Sequence, residues 1–194
     1  MSRRIVVVQG HPDPDSHRLC RALADAYAEG AREAGHAVTR IDLAALDFPL
    51  LRTRAAFEHE PVPECLRPAQ EAIVAADHIV IVFPLWLGTM PALVKAFLEQ
   101  VMRPGVAFAY QKKGNPRLLL AGRSARLVVT MGMPAFVYRW WYFAHGLKGL
   151  ERNILRFVGI KPVRETLFGM VGTASEATRR TWLKRMRDLG ARGA

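Results

Sequence analysis

The stretch from Ile79 to Val94, IVIVFPLWLGTMPALV, decides how the rest of the chain is read. Ile79, Val80, Ile81, Val82 and Phe83 form an unbroken apolar run of β-branched and aromatic types, which suits a strand buried on both faces of a parallel sheet. Pro84 ends the run. Beyond the loop PLWLG, Thr89 is placed to cap a helix that Pro91 helps start, and Leu93, Val94, Phe97, Leu98 and Val101 recur at helical spacing until Pro104 and Gly105. Strand, loop and helix in that order are the unit of a doubly wound α/β sheet, whose loops at the carboxyl ends of the strands carry the ligand. Trp86 and Gly88 are therefore ligand candidates. The competing reading is that Leu85, Trp86 and Leu87 only seal the end of the sheet.

Upstream, IVVV lies between Arg4 and Gln9 as a short buried strand and runs at once into GHPDPDSHRL. Ser16 is expected to cap a helix whose apolar stripe is Leu19, Leu23, Ala26, Tyr27 and Ala31 and which Gly35 terminates. A helix start fed by a first strand offers free N–H groups and positive dipole charge, the physical basis for holding a phosphate, and Ser16, His17 and Arg18 could add donors. His11, Asp13, Asp15 and His17 invite a metal reading, but Pro12 and Pro14 stiffen the loop and nothing fixes four ligands on one point, so no metal is expected. His36 to Leu43 reads as a less buried edge strand. Residues 44–63, with Pro49, Pro61 and Pro63, read as a long surface loop, and Cys65, Leu66, Ala69, Ile73 and Val74 as a helix leading into the central strand.

Downstream, Val106 to Asn115 suits a small hairpin or flap, and Ala125 to Thr130 forms a fourth strand that leaves through MGMP. Gly132 there either permits backbone approach to a ligand or simply turns the chain. The aromatic segment from Phe136 to Gly146 reads as packing or an interface before it reads as a site, although it follows a strand end. Leu147 to Phe157 is helical with Leu150, Ile154, Leu155 and Val158 inward, and Gly159 stops it. Pro162 to Phe168 gives the fifth strand and Glu176 to Leu189 the last helix. Five strands alternating with helices imply a doubly wound parallel sheet with helices on both faces, in the flavodoxin-like order 2-1-3-4-5. Loops 10–18, 84–90 and 131–138 then converge where the strand order reverses.

The 194 residues, 51% hydrophobic, suit one domain over 1–194. A formal charge of +11 favours anionic partners, whether nucleic acid, a lipid surface or phosphate-bearing small molecules. No groove-reading motif accompanies the charge, so nucleic acid is not expected. Arg179, Arg180, Lys184, Arg185 and Arg187 read as the solvated face of a helix that buries Trp182, Met186 and Leu189. No apolar run approaches the roughly 20 residues of a membrane helix. MSRRIVVVQG has too few apolar residues for a signal peptide, and Cys20 and Cys65 lack metal or redox spacing, which together suggest a cytoplasmic chain with reduced thiols.

With His11 and Ser16 in the first loop, FPLWLGTMPALVKAFLEQV, GVAFAY, TMGM after the fourth strand and FVGI before the fifth, the chain resembles the NAD(P)H:quinone reductase family, the DT-diaphorase-like flavoproteins. The resemblance implies a flavin, FAD by preference with FMN possible, whose phosphate is held by His11, Ser16, His17 and Arg18. Pro84, Leu85, Trp86 and Leu87 would lie along the isoalloxazine, and Thr130, Met131, Gly132 and Met133 would bond its pyrimidine edge. Tyr138 and His145 stand where the family has its catalytic tyrosine and histidine. NAD(P)H as electron donor, a quinone or similar acceptor and a homodimer are implied likewise. A flavin-bound electron carrier or regulatory subunit is the alternative.

Overall fold

The apolar run at Ile79 is the middle of the sheet, and the computed structural model describes residues 2–194. In chain order the elements are β1 (Arg4–Gln9), α1 (Leu19–Glu33), β2 (Ala37–Asp42), α2 (Arg54–His59), α3 (Arg67–Ala75), β3 (His78–Pro84) and α4 (Ala92–Val101). Then follow β4 (Phe108–Ala109), β5 (Arg117–Leu118), β6 (Ser124–Thr130), α5 (Ala135–Trp140), α6 (His145–Gly149), β7 (Val163–Phe168) and α7 (Glu176–Ala191). Every residue of β3 is buried, because it pairs in parallel with β1 on one side and β6 on the other and is covered on both faces. The five-stranded sheet has the order β2-β1-β3-β6-β7, all parallel, which is 2-1-3-4-5 once the antiparallel hairpin β4–β5 is set aside.

Strand periodicity divides the interior in two. Ile79, Ile81 and Phe83 join Val6, Val8, Leu127 and Val129 beneath α3, α4 and α6, where Ile73, Phe97, Leu98 and Leu147 meet them. Val80 and Val82 join Ile5, Val7 and Val128 on the other face, under Leu23 and Tyr27 of α1 and Met186 and Leu189 of α7. Each such large side chain contributes about 1.5–3 kcal/mol on burial, so the sheet is a stiff base for the loops at its ends.

Several local expectations are corrected. Ser16 does not cap α1: the N-cap is Arg18 and makes no side-chain bond. The loop reaches the helix through successive Asx turns instead, in which Asp13 Oδ1 accepts from Asp15 N and Asp15 Oδ1 from His17 N, both at 2.9 Å. Thr89 does not cap α4, which starts after Pro91, because Thr89 is used in the turn described below. Residues 44–63 are not structureless. Thr53 caps α2 there, its Oγ1 accepting from Ala56 N at 3.0 Å. The helix expected from Cys65 begins at Arg67 as α3, and Cys65 lies in the 3₁₀ turn before it. The helix expected over 147–157 begins at His145 and widens into a π-helical stretch over Leu150–Leu155.

Candidate functional site

The strand order reverses between β1 and β3, and three loops meet at that carboxyl edge. The His11 and Trp86 rings join the first loop to the second, edge to face with centroids 5.8 Å apart. Leu85 N donates to Thr130 O at 2.8 Å, and Tyr138 Oη donates to Gly88 O at 3.0 Å, joining the second loop to the third.

The second loop is a tight turn. Trp86 N donates to Thr89 O at 2.9 Å and Thr89 N to Trp86 O at 3.0 Å. The residues between, Leu87 (φ 47°) and Gly88 (φ 80°), both take positive φ, the pattern of a type I′ turn. Glycine suits that conformation. Leucine is strained in it by about 1–3 kcal/mol, and a side chain at 105% relative exposure recovers nothing by packing. The turn is nevertheless held firmly from behind. Tyr138 is 1% exposed, and its hydroxyl donates to Gly88 O while accepting from Leu147 N at 3.2 Å. Burial accordingly raises the Tyr138 pKa. A side chain at position 146 would collide with the Gly88 carbonyl, so Gly146 lets the start of α6 press against the turn.

In the first loop, Gln9 is buried at the end of β1, where its Oε1 accepts from His11 N and its Nε2 donates to Asp42 Oδ1 at 3.4 Å. His11 Nδ1 accepts from Asp13 N at 3.1 Å, which leaves the neutral ring's proton on Nε2. Burial, and then the Arg18 charge, lower the His11 pKa, so the ring is neutral at pH 7. Arg18 donates Nε to Asp13 Oδ2 at 2.8 Å, and His17 Nδ1 lies 2.9 Å from Asp15 Oδ1. Ser16, His17 and Arg18 are exposed at the start of α1 as an anion site requires, but the loop's own carboxylates already engage His17 and Arg18.

The third loop splits the residues expected to meet a flavin. Thr130 and Met131 are buried beneath it: Thr130 Oγ1 lies 3.2 Å from Cys20 Sγ, and Met131 N donates to Phe168 O at 2.9 Å. Gly132 is exposed, Met133 is half-buried with its side chain packed against the core, and among the described residues their N–H groups have no acceptor. A Cβ built on Gly132 meets nothing within 4 Å, and its φ is not positive. Neither backbone conformation nor packing requires glycine here, and the space around it is open.

Tyr138 and His145 are not hydrogen-bonded to each other. Tyr138 serves the turn, whereas His145 is exposed with its ring 5.8 Å from that of Phe143. Between them Phe143 and Ala144 hold φ of 52° and 50°, a strained link that turns the aromatic segment outward. Trp140 and Trp141 are 73% and 77% exposed, beside the exposed Phe136, Tyr142 and Phe143. Sequence reasoning missed Gln9 and Gly146. The signals were a polar residue closing an apolar strand and a glycine directly after the histidine.

This edge gathers apolar surface, free main-chain donors and a helix start. Trp86 and Leu87 offer an apolar wall, Gly132 and Met133 offer unspent N–H donors, and α1 begins beside the turn residues. Among the described residues no group of three or more His, Cys, Asp or Glu side chains could hold a metal ion, and no helix is long and apolar enough to cross a membrane.

A five-stranded parallel sheet in this order, with three loops meeting at the strand reversal, defines a flavodoxin-like doubly wound protein. The chain belongs to the flavodoxin-like fold family, which it matches over residues 3–189. It is similar to an uncharacterized NAD(P)H oxidoreductase of Haemophilus influenzae, 24% identical over 184 residues that cover 92% of this chain and 90% of that one. An FMN-dependent NADH:quinone oxidoreductase of Listeria innocua is 39% identical over 93 residues, 48% of this chain and 43% of the other. The solved NAD(P)H:quinone oxidoreductase of Methanothermobacter marburgensis superposes with a TM-score of 0.82 at 24% identity, covering 98% of both chains, which shows a shared fold.

Proposed function

We propose that the protein is a flavin-dependent NAD(P)H oxidoreductase that passes two electrons to a quinone or similar acceptor. The observation that carries this reading is the fixed, exposed turn Trp86–Thr89 beside the open Gly132 at the strand-order reversal. When bound, a flavin would supply the redox chemistry, two-electron transfer from NAD(P)H to the acceptor in ping-pong order.

The chain's own residues bind and orient. Trp86 and Leu87 form the wall against the ring, with Pro84 and Leu85 fixing where the wall begins. The N–H groups of Gly132 and Met133, free of other acceptors, would bond the ring's polar edge and favour negative charge there. Thr130 and Met131 set the height of that loop from below. The first helical turn of α1, with Ser16, His17, Arg18 and the ring of His11, holds the phosphate. His145, exposed near the aromatic segment, would hold or pass a proton, and Tyr138 positions the turn. The name of the Listeria relative supports FMN over the FAD implied by the family resemblance. The exposed aromatics from Phe136 to Phe143 support a homodimer in which the partner covers the site.

Purified protein should carry one flavin per chain, absorbing near 450 nm, and chromatography of the released cofactor distinguishes FMN from FAD. Protein that stays colourless after incubation with both flavins would end this reading. A flavinated protein that oxidises neither NADH nor NADPH would be an electron carrier instead.

A further inference from the structure

At the other end of the sheet, where the strands begin, residues distant in sequence enclose a cleft of about 600 Å³. Arg3 before β1, Lys161 and Arg164 around the start of β7, and Arg192 after α7 line it, with His78 and Ser124, the first residues of β3 and β6. Among the described residues no carboxylate lies within ion-pair distance of any of these four cations. The acidic side chain in the lining, Asp77, is occupied by Arg4, accepting from its N at 2.8 Å and its Nη2 at 3.2 Å. Beside the cleft, Arg126 is nearly buried and donates to Ala194 O and Thr166 Oγ1, both at 2.7 Å.

A second observation is independent of the charge. His78 is 2% exposed, its Nδ1 lies 2.7 Å from Ser124 Oγ, and its buried Nε2 has no partner. With the Ser124 hydroxyl donating to Nδ1, the unspent Nε2 carries the proton and is a donor in want of an acceptor. Burial first, then the guanidinium groups of Arg126, Arg3 and Arg164, push the His78 pKa down to about 4, so the ring is neutral at pH 7. The charges of Arg164, Arg185 and Arg192 act on Arg126 in the same sense after burial. This end of the molecule thus concentrates repelling cations around an unsatisfied donor.

We propose that this cleft binds a small polyphosphorylated anion, held by Arg3, Lys161, Arg164 and Arg192 with His78 and Ser124 at its base. Cations spread around the cleft match several linked phosphates better than one. Its volume lies within the roughly 300–1,000 Å³ typical of small-molecule sites. A lipid surface fits less well, since the site is concave and its lining holds no large apolar side chain to insert. The length of β3 puts the cleft about 20 Å from the turn at Trp86, so the site is separate from the proposed flavin site and does not depend on it.

The test is calorimetric titration of the full flavin-loaded chain with inorganic tripolyphosphate. One equivalent should bind per chain. Lys161→Ala with Arg164→Ala should weaken it roughly tenfold or more, whereas Lys148→Ala with Arg152→Ala, which removes equal charge from α6 and its continuation, should stay within about twofold. Should the first pair melt early, Arg192→Gln at the exposed end of α7 serves in its place. Binding should shift the His78 ring resonances and persist under excess NADH. No heat, equal weakening in both pairs, displacement by NADH, or binding only to vesicles of anionic lipid would each overturn the proposal.

Discussion

Replacing Tyr138 by phenylalanine separates two roles for one hydroxyl. The substitution keeps the ring in its buried place and deletes the bonds to Gly88 O and from Leu147 N. Leu147 N–H is buried, and stranding it costs about 1–3 kcal/mol; Gly88 lies in an exposed turn, so its carbonyl regains water and the loss there is about 0.5–1.5 kcal/mol. A total of about 1.5–4.5 kcal/mol corresponds to a fall in melting temperature of roughly 3–18 °C for a chain of this size. The turn, already strained at Leu87, loses its brace, and flavin affinity should fall about fivefold for each 1 kcal/mol by which the bound geometry becomes less populated. The rate of flavin reduction by NAD(P)H at full flavin occupancy should change less than about threefold, because the hydroxyl faces the turn and not the ring. Thermal melts of the flavin-loaded variant and stopped-flow bleaching of flavin absorbance provide the two readouts. An unchanged melting temperature with a rate loss of roughly a hundredfold, the size expected of a proton donor, would refute the brace and restore Tyr138 as a catalytic residue.

Three further outcomes follow from the geometry. Asp13→Asn with Asp15→Asn keeps the amide oxygens that form the Asx turns but frees Arg18 and His17, so flavin affinity measured by fluorescence quenching should rise a few-fold, and more at low salt; a fall would show that the carboxylates help hold the ligand. Light scattering at micromolar concentration should report a dimer, and Trp140→Ala with Trp141→Ala should shift it towards monomer; a monomeric wild type with flavin bound would count against the interface. The depressed His78 pKa makes the unfolded chain bind a proton that the folded one refuses, so stability should fall as pH drops from about 6.5 towards 4 and level off below, by at most about 3 kcal/mol. His78→Gln should lack that part of the acid loss in denaturant titrations, and identical pH profiles would exclude it.

The strands and their order were legible because β-branched runs such as Ile79 to Val82 are unambiguous, and strictly alternating helices leave few topologies. Helix starts were less legible. Ser16 and Thr89 have capping chemistry, yet each is committed to a turn that the local pattern does not reveal. The convergence of Trp86, Gly132 and His11 followed from topology alone. That Thr130 and Met131 are buried while Gly132 is exposed goes with two main-chain bonds, from Leu85 N to Thr130 O and from Met131 N to Phe168 O, that no pattern in the sequence announces. The Tyr138 hydroxyl failed the same way: family spacing gave it a partner in His145, and burial gave it Gly88 and Leu147.

The basic residues of α7 form a solvated helix face as expected, but where the uncancelled charge gathers is not legible along the chain, for a reason that bears on function. The basic run in α7 is dense in sequence but largely neutralised in space, since Arg180 pairs with Glu176, Lys184 with Asp188, and Arg187 with Glu29 and Glu33 of α1. Arg185 instead lies over the Phe168 ring, 5.9 Å from its centroid. The cations without carboxylates that share a surface come from positions 3, 161, 164 and 192, which no window along the chain would group. Opposite charges at helical spacing cancel locally, whereas a parallel sheet gathers the starts of all its strands at one end and sums whatever charge they bring. Part of the excess that makes this chain basic is therefore gathered at the amino edge of the sheet, away from the edge where the strand order reverses, and an anion bound there would meet cations whose repulsion it relieves.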